Sequence, residues 1–369
     1  MPVRPLAEDD IPQVADLYWT VLRAHAGSPP PQVSSFLREL YFSNPWTDKT
    51  LSPLVYEEKG EIAGFLGLVA RKMSYKGEPV RIAFGGNFAV YPKFRNTLAG
   101  LHLLKAYMSG GQDLSQTDSA NDTSRALLER LGFTTILPYS VHWVRPLRPS
   151  RLTTFALTRL NDNSLSRIVD KVARPFCAVV DRLAARSAGP LRLIKPRLHA
   201  SDLNVATLLD CLTRFRNGYS LWPEYDAHSL NWLLSFMTRM NGHGEGLRKL
   251  ALWDDSGRIV GWYIFYLSPG GFAEVAQIGG EKNRIKEILD HLFHEAWTLG
   301  HIAVHGTTDL RLMDHFSEKN CFFTCRGGWT LAYARNPKFL NLLNTGDAFL
   351  SRLDGEWCLA FGIDKASRL

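Results

Sequence analysis

The chain has 369 residues, of which 45% are hydrophobic and 11% aromatic, and its formal net charge is +7. This length and composition are typical of two packed domains and exclude a largely disordered chain. No stretch approaches the roughly 18 apolar residues of a membrane-spanning helix, and the chain does not start with a signal-peptide pattern, so we expect a cytoplasmic protein.

The first half has the element order of a mixed α/β domain. An aromatic, leucine-bearing stretch precedes a hairpin whose turn is Glu58-Lys59-Gly60, and Asn121 is placed to cap a helix that ends before Gly132. The predicted elements are, in order, the hairpin 55–72, a strand 81–91, a helix 98–109, a strand 113–119, a helix 122–131 and strands within 134–146.

One turn in this half has the features of an anion site. The strand that contains Val90 should end at Pro92, because proline has no N–H for a ladder hydrogen bond. The residues that follow present free N–H groups at a helix start beside Lys93 and Arg95. That combination attracts anions, and we expect a phosphate to bind there.

The segment 151–197 is predicted to be a basic amphipathic helical connector. Residues 151–200 contain ten Lys or Arg and three Asp, a difference of seven, which equals the whole excess of +7. The rest of the chain is balanced, so we expect no specific nucleic acid partner. Its apolar residues recur at helical spacing, which favours a helix over 164–186 with those residues buried against protein. Peripheral contact with anionic lipid, or with an acidic partner, is the alternative.

The second half repeats the plan of the first. Residues 251–267 form a strand, a charged turn and a second strand, like 55–72 at an offset of 197 residues. An internal duplication is the simplest explanation. It predicts a first domain over 1–150, the connector over 151–197 and a second domain over 198–369.

Several motifs resemble the GCN5-related N-acetyltransferase (GNAT) superfamily, whose members take an acyl group from acyl-coenzyme A. They are Val90-Tyr91-Pro92, the run from Arg95 to Gly100, Asn121, and ERLGF at 129–133. The resemblance implies a mixed α+β fold of two tandem GNAT-like domains, each a central mixed sheet flanked by helices. The second domain lacks the glycine-spaced loop and is interpreted as degenerate.

The resemblance also implies a site for acetyl-CoA or another acyl-CoA as co-substrate. Its pantetheine arm would lie along a strand edge and its pyrophosphate on backbone N–H groups, with Leu98 pointing into the core. The implied cofactor-binding residues are Phe88, Val90, Arg95, Asn96, Thr97, Leu98, Ala99, Gly100 and Asn121. No metal is expected, since His291 and His294 lack a carboxylate at a recognised zinc-ligand spacing.

Three departures from the family pattern reduce the implied side-chain chemistry. Leu98 stands where the family has its first glycine, and Leu128 stands where it often has a tyrosine acid. Gly85-Gly86-Asn87 stands where many relatives have a carboxylate base. Tyr139, as a proton relay, and Ser119, as a group beside the acceptor, are the remaining candidates for catalysis.

We therefore expect an acyl-CoA-dependent acyltransferase that performs N-acetyl transfer to a small amine, an amino acid or an amino sugar. One alternative is a non-catalytic coenzyme- or ligand-binding protein on a decayed fold. Another is an aminoacyl-tRNA-dependent transferase, which the basic connector suggests. The sequence leaves the acceptor, the acyl chain length and the oligomeric state open.

Overall fold

The computed structural model describes residues 2–160, 176–187, 189–216, 218–239, 246–268, 270–325 and 328–359. The chain divides into two compact units, and each unit draws on both halves of the sequence. The first contains Met1–Ser140, Gly218–Gly242 and Gly327–Leu369, and the second contains Val141–Asn217 and His243–Arg326. These boundaries differ from the predicted ones at 150 and 197.

The strands of the described residues are numbered in chain order. They are β1 (Val3–Pro5), β2 (Leu54–Glu58), β3 (Glu61–Tyr75), β4 (Glu78–Val90), β5 (Leu114–Ala120), β6 (Thr134–Thr135), β7 (His142–Pro146), β8 (His199–Asp202), β9 (Leu221–Pro223), β10 (Leu247–Trp253), β11 (Ile259–Tyr266), β12 (Phe272–Gly280), β13 (Ala303–Thr307), β14 (Phe322–Thr324) and β15 (Trp329–Ala334).

The helices are numbered in the same way. They are α1 (Ile11–Leu17), α2 (Pro31–Phe42), α3 (Ala99–Met108), α4 (Asp122–Arg130), α5 (Leu137–Ser140), α6 (Pro149–Leu160), α7 (176–186), α8 (Val205–Arg214), α9 (Ala227–Arg239), α10 (Ile285–Thr298), α11 (Met313–Glu318), α12 (Pro337–Asn344) and α13 (Glu356–Leu359). None of the described helices is long and apolar enough to cross a membrane.

The first unit is built on a mixed sheet with the strand order β1-β2-β3-β4-β5-β15-β6, and β9 pairs with the end of β3. Only β4 and β5 are parallel among these pairs. One face packs on α3 through Leu103, Leu104 and Tyr107. Phe339 and Leu343 of α12 join a second core cluster with Ile82 and Phe84.

The second unit repeats this sheet. Its order is β14-β7-β13-β12-β11-β10-β8, and only β12 and β13 are parallel. The predicted hairpins are equivalent: Gly64 pairs with Tyr56 and Gly261 with Leu252, and each hairpin has a register shift at the next residue of its first strand. The mixed α+β fold with two mixed sheets flanked by helices is confirmed.

The two sheets exchange one strand between the halves of the sequence. The strand beside β5 is β15, which lies near the end of the chain, and the strand beside β13 is β7, which lies in the first half. The sequence predicts a strand near 142–146 within the first domain, whereas this strand belongs to the second sheet. Alternation of apolar residues marks a strand but does not select its partner.

Local signals in the first unit act as the sequence predicts. Lys59 and Gly60 both have positive φ, at 55° and 79°, which is the conformation of a tight hairpin turn. Asn121 Oδ1 accepts a hydrogen bond from Ser124 N–H at 2.8 Å and caps α4. Gly132 follows the helix with φ of 101°, and Phe133 N–H bonds to Leu128 O, so the predicted cap and stop are confirmed.

The predicted connector is only partly confirmed. Its described parts include the helices α6 and α7, both in the second unit, while residues 161–175 lie outside the described residues. The expectation that its apolar residues are buried is wrong for α7, since Phe176 is 74% and Leu183 64% exposed. The spacing of apolar residues predicts the helix but not its orientation, which tertiary contacts of α7 decide.

Strands β4 and β5 separate part-way along their length. They pair from Ile82–Leu114 to Phe84–Gln116, after which β4 continues to Val90 and β5 to Ala120. The Tyr107 hydroxyl of α3 lies at this fork, 2.7 Å from Ala83 O and 3.0 Å from Gln116 O. A buried carbonyl without a partner is costly, so this hydroxyl stabilises the point of separation.

We predict that Tyr107→Phe destabilises the first unit by about 1–3 kcal/mol, because two buried carbonyls at the fork lose their shared donor. Chemical denaturation monitored by tryptophan fluorescence measures this change. Tyr333→Phe is the control, since Tyr333 packs on the same apolar cluster from its edge and is only partly buried. Equal stability of the Tyr107→Phe variant and the wild type would contradict this role of the hydroxyl.

Candidate functional site

The strand separation in the first unit opens into a cavity of about 130 Å³. Its apolar wall includes Leu66, Leu104, Leu127 and Leu128. Its polar and backbone lining comes from β4, β5, the start of α4 and α13, and includes Gly85, Gly86, Asn87, Phe88, Thr117, Ser119, Asn121 and Glu356. The cavity therefore combines an apolar wall with convergent polar groups, which is typical of ligand sites.

A bulge in β4 shapes this wall. Phe65 pairs with Ala89 and Gly67 with Gly86, so β4 has one residue more than β3 between these pairs. Asn87 accommodates the bulge with φ of 51°, a left-handed conformation that asparagine tolerates. Its buried side chain donates to the Tyr41 hydroxyl at 2.9 Å. The bulge is thus fixed by a buried hydrogen bond.

The edge of β4 beyond the fork offers backbone donors. Tyr91 N–H bonds to Ala63 O on β3 at 3.0 Å. Because successive N–H groups of a regular strand point to alternate edges, that of Val90 points to the edge that β5 has left. Asn87 N–H, at the bulge, points to the Glu356 carboxylate, which is 3.0 Å away. Val90 is one of the cofactor-binding residues that the family resemblance implies.

Glu356 brings a carboxylate into the opening. Its Oε1 accepts from Asn87 N–H at 3.0 Å, and its Oε2 accepts from the hydroxyls of Thr117 at 3.2 Å and Ser119 at 2.5 Å. A Cβ on Gly86 would come within 2.3 Å of Glu356 Cδ, so a side chain at this position would displace the carboxylate. The glycine that replaces a family carboxylate in the sequence therefore makes room for one from α13.

A second carboxylate lies beside the first. Asp118, half-buried on β5, accepts from Trp357 N–H at 3.2 Å. Burial, and after it the negative charge of Glu356, raises the pKa of Asp118 to about 7. Asp118 can therefore change its protonation near neutral pH.

The turn between β4 and α3 uses part of its donors internally. Arg95 N–H bonds to Pro92 O, Thr97 N–H to Phe94 O, and Ala99 N–H to Thr97 Oγ1. The N–H groups of Asn96, Leu98 and Gly100 have no partner among the described residues. Of the N–H groups over 95–100 that the sequence predicts as donors, only those of alternate residues are left for a bound anion.

The two basic side chains of this turn differ in whether an acidic residue already pairs with them. Lys93 Nζ is paired with Glu61 Oε1 at 2.5 Å. Arg95 is exposed, and its Nε lies 3.4 Å from Val90 O at the end of β4. Arg95 is therefore the cation of this turn that remains open to a bound anion.

The expectation that Leu98 points into the core is wrong. Leu98 is 58% exposed and stands at the N-cap of α3, whereas Ala99 takes the buried position. A Cβ on Gly100 would lie 3.2 Å from the ring of Phe88, so this glycine allows the helix start to approach β4 closely. The loop can remain open without a glycine at 98, because the leucine side chain turns to solvent.

The two predicted catalytic residues lie in different surroundings. Ser119 lines the cavity and donates to Glu356. Tyr139 is 7% exposed in an apolar cluster, and its hydroxyl donates to Ala348 O. Tyr139 is not among the residues that line the cavity.

Sequence reasoning missed Glu356 as a functional residue. It lies 269 residues after Asn87, its hydrogen-bonded partner, and no motif surrounds it. The only indirect signal is the pair Gly85-Gly86 in a strand interior, since glycine there often marks close approach of another group.

Several titratable side chains that do not line the cavity have structural partners. His291 Nδ1 lies 2.8 Å from the Tyr263 hydroxyl, and burial lowers the pKa of His291. Tyr225 is hydrogen-bonded to Asp354, and Asp226 caps α9 by accepting from Ser229 N–H at 2.7 Å. No group of three His, Cys, Asp or Glu side chains within the described ranges is arranged to hold a metal ion.

The second unit differs at the equivalent strand position. By register, Gln277 opposite Ile264 corresponds to Gly86 opposite Gly67. Gln277 is buried, and its Oε1 accepts from the Trp262 indole at 2.9 Å. Where the first unit has glycine under a carboxylate, the second has a side chain paired within its own sheet, in line with the interpretation of a degenerate half.

Comparison with solved structures identifies the fold. A conserved protein of unknown function from Enterococcus faecalis V583, a probable N-acyltransferase, matches with a TM-score of 0.59 and 11% identity over 90% of this chain and 72% of that one. A GCN5-related N-acetyltransferase from Anabaena variabilis ATCC 29413 matches with a TM-score of 0.57 and 12% identity over 90% of this chain and 72% of that one.

A Saccharomyces cerevisiae N-myristoyltransferase with bound myristoyl-CoA matches with a TM-score of 0.50 and 11% identity over 90% of this chain and 77% of that one. No protein-family model and no curated protein matches the sequence. The chain has the GNAT fold, as its motifs indicate. At these identities the likeness concerns the fold alone.

We predict that the pH dependence of stability changes in Asp118→Asn. An acid whose pKa rises on folding from its ordinary 3.8 to about 7 stabilises the fold less as pH rises through this interval. The amide side chain of the Asp118→Asn variant cannot ionise, so the variant does not lose stability in this way as pH rises. From pH 5 to pH 8 its stability should rise relative to the wild type by about 2.7 kcal/mol, since the wild type loses about 1.4 kcal/mol for each of the two pH units between pH 5 and the pKa of Asp118.

Denaturant unfolding at both pH values measures this difference. Asp113→Asn is the control, because Asp113 is an exposed residue at the start of β5. A difference between wild type and Asp118→Asn that is the same at pH 5 and pH 8 would show that Asp118 does not take up a proton on folding.

Proposed function

We propose that the protein is an acyl-CoA-dependent acyltransferase that transfers an acetyl group to the nitrogen of a small amine, amino acid or amino sugar. The observation that carries this proposal is the Glu356 carboxylate in the opening between β4 and β5, hydrogen-bonded to Asn87 N–H at 3.0 Å. The opening thus has a proton acceptor beside a strand edge with backbone donors.

The coenzyme would be held by backbone groups. Its pyrophosphate would lie on the N–H groups of Asn96, Leu98 and Gly100 at the start of α3, next to Arg95. Its pantetheine arm would follow the open edge of β4 and place the thioester near Phe88. N–H groups on that edge can stabilise the oxyanion of the tetrahedral intermediate, an effect of about 2.7–4 kcal/mol per donor in other enzymes.

Glu356 would act as the general base. It accepts a proton from the acceptor ammonium, and the free amine attacks the thioester carbonyl. The C–N bond forms, the C–S bond breaks and coenzyme A leaves as a thiolate. Of the two protons that the nitrogen loses, one ends on the thiolate sulfur and the other passes to solvent. Holding the two reactants together supplies much of the remaining rate enhancement.

The size of the cavity favours a short acyl group. Its volume of about 130 Å³ is well below the roughly 300–1,000 Å³ of pockets that hold drug-sized ligands. The apolar wall of Leu66, Leu104 and Leu128 suits a methyl group better than a charged one. This supports acetyl-CoA over acyl-CoA with a long chain.

Glu356→Gln should keep coenzyme A binding and lose turnover. Glutamine has the same shape but does not accept a proton, so the rate should fall about 10²–10⁴-fold. Calorimetry with coenzyme A and thiol release with acetyl-CoA over a panel of amines, amino acids and amino sugars measure the two properties. Glu129→Gln is the control, because Glu129 lies on α4 and is not among the residues that line the cavity. Full activity of Glu356→Gln would exclude the general-base role.

Arg95→Ala should weaken coenzyme A binding by about 1.5–3 kcal/mol through loss of a charge-assisted contact. Lys93→Ala is the matched control and should bind normally, since Lys93 is paired with Glu61. Gly100→Trp should abolish binding by filling the space beside Phe88. Calorimetry at low and high salt tests all three variants. Equal affinity of Arg95→Ala and wild type would place the pyrophosphate elsewhere.

A non-catalytic coenzyme-binding protein is the second candidate. The positions of Leu128 in the cavity wall and of Tyr139 in the core support it, since neither supplies an acid at the thioester. Protein that binds coenzyme A but releases no thiol with any acceptor of the panel would favour this candidate over the transferase.

A further inference from the structure

The helix α7 of the second unit presents its large apolar side chains to solvent. Phe176, Val179, Val180 and Leu183 are spaced i, i+3, i+4 and i+7 and form one stripe. Their exposed fractions are 74%, 56%, 52% and 64%. An amphipathic helix of a globular protein normally turns such a stripe inward. We call these side chains the α7 stripe.

Polar contacts on the opposite side fix this orientation. Asp181 is fully buried, and its Oδ1 accepts from Ser150 N–H at 2.9 Å. Ser150 lies in the first turn of α6, so the carboxylate serves the positive end of that helix. Ala185 is also buried, and its carbonyl accepts from Leu193 N–H at 2.9 Å. Turning the stripe inward would expose Ala185 and break the contact of Asp181 with α6.

The exposed charged side chains of α7 have one sign. The acidic residue of 176–197 is Asp181, which is buried. The basic residues of α7 are Arg182 and Arg186, and both are exposed.

We propose that the α7 stripe and its basic surroundings form a docking surface for an anionic lipid bilayer. Apolar side chains on one helix face enter the boundary between headgroups and acyl chains, and flanking Lys and Arg interact with anionic headgroups. The uniform positive charge favours this occupant over a second copy of the chain, because two copies would bring their arginines together. The surface is independent of the transferase site.

Sedimentation of the full-length protein with lipid vesicles tests the proposal. Vesicles of phosphatidylcholine alone are compared with vesicles containing phosphatidylglycerol. We expect binding to the anionic vesicles that is at least about tenfold stronger than to neutral ones and that weakens as salt rises. Arg182→Gln combined with Arg186→Gln should weaken binding to anionic vesicles and reduce its salt dependence.

Val180→Glu combined with Leu183→Glu should weaken binding to anionic vesicles at least about tenfold, since charged residues replace the centre of the stripe. Leu183→Ser is a milder variant that should weaken binding in the same direction if the double variant folds poorly. Phe322→Ser is the matched control, because Phe322 of β14 is 66% exposed outside 176–197, and it should bind like wild type.

Three results would overturn the proposal. One is the absence of wild-type binding to anionic vesicles, and another is unchanged binding by Val180→Glu with Leu183→Glu and by Leu183→Ser. The third concerns a second copy as the occupant. Wild type that is dimeric in analytical ultracentrifugation and fails to bind vesicles, while Leu183→Ser is monomeric, would assign the stripe to self-association.

Discussion

The separation of β4 from β5 is the constraint on which the candidate site depends. A sheet that opens in its interior leaves backbone groups without partners, and such groups are costly when buried. The Tyr107 hydroxyl donates a hydrogen bond to the two carbonyls at the fork. Further along β4, Glu356 accepts a hydrogen bond from Asn87 N–H. The same opening that weakens the sheet exposes the strand edge on which we propose that the thioester binds. The separation of β4 from β5 therefore affects both the stability of the sheet and the proposed function.

The carboxylate in this opening is held from a distant part of the chain. The Arg71 guanidinium of β3 donates to Leu353 O at 2.9 Å and Asp354 O at 3.1 Å, and it lies 3.5 Å from the centre of the Trp46 ring. These contacts fix the segment that leads into Glu356. Since β15 pairs with β5 in the first sheet, residues 1–150 alone would lack both this neighbour of β5 and the carboxylate.

The sequence by itself determined the features that depend on neighbouring residues. Pro92 ends β4 because it lacks an N–H, and Asn121 with Gly132 bounds α4 through hydrogen bonds within a few residues. Two hairpins with matching turns indicated the repeated sheet, and apolar spacing predicted the helix α7. Each of these signals lies within one helix, strand or turn, so it can be recognised without knowing which elements pack against one another.

Tertiary structure alone decided which distant groups meet. Nothing near Gly86 in the chain indicates that Glu356 fills its place, because their proximity depends on the path of the last residues across the sheet. The exchange of β7 and β15 has the same origin, since alternation specifies a strand and not its neighbour. Tertiary structure also decides that the apolar face of α7 points outward. Helical spacing defines the stripe, whereas the buried bond of Asp181 to Ser150 N–H, made across the gap between two helices, decides which way it points.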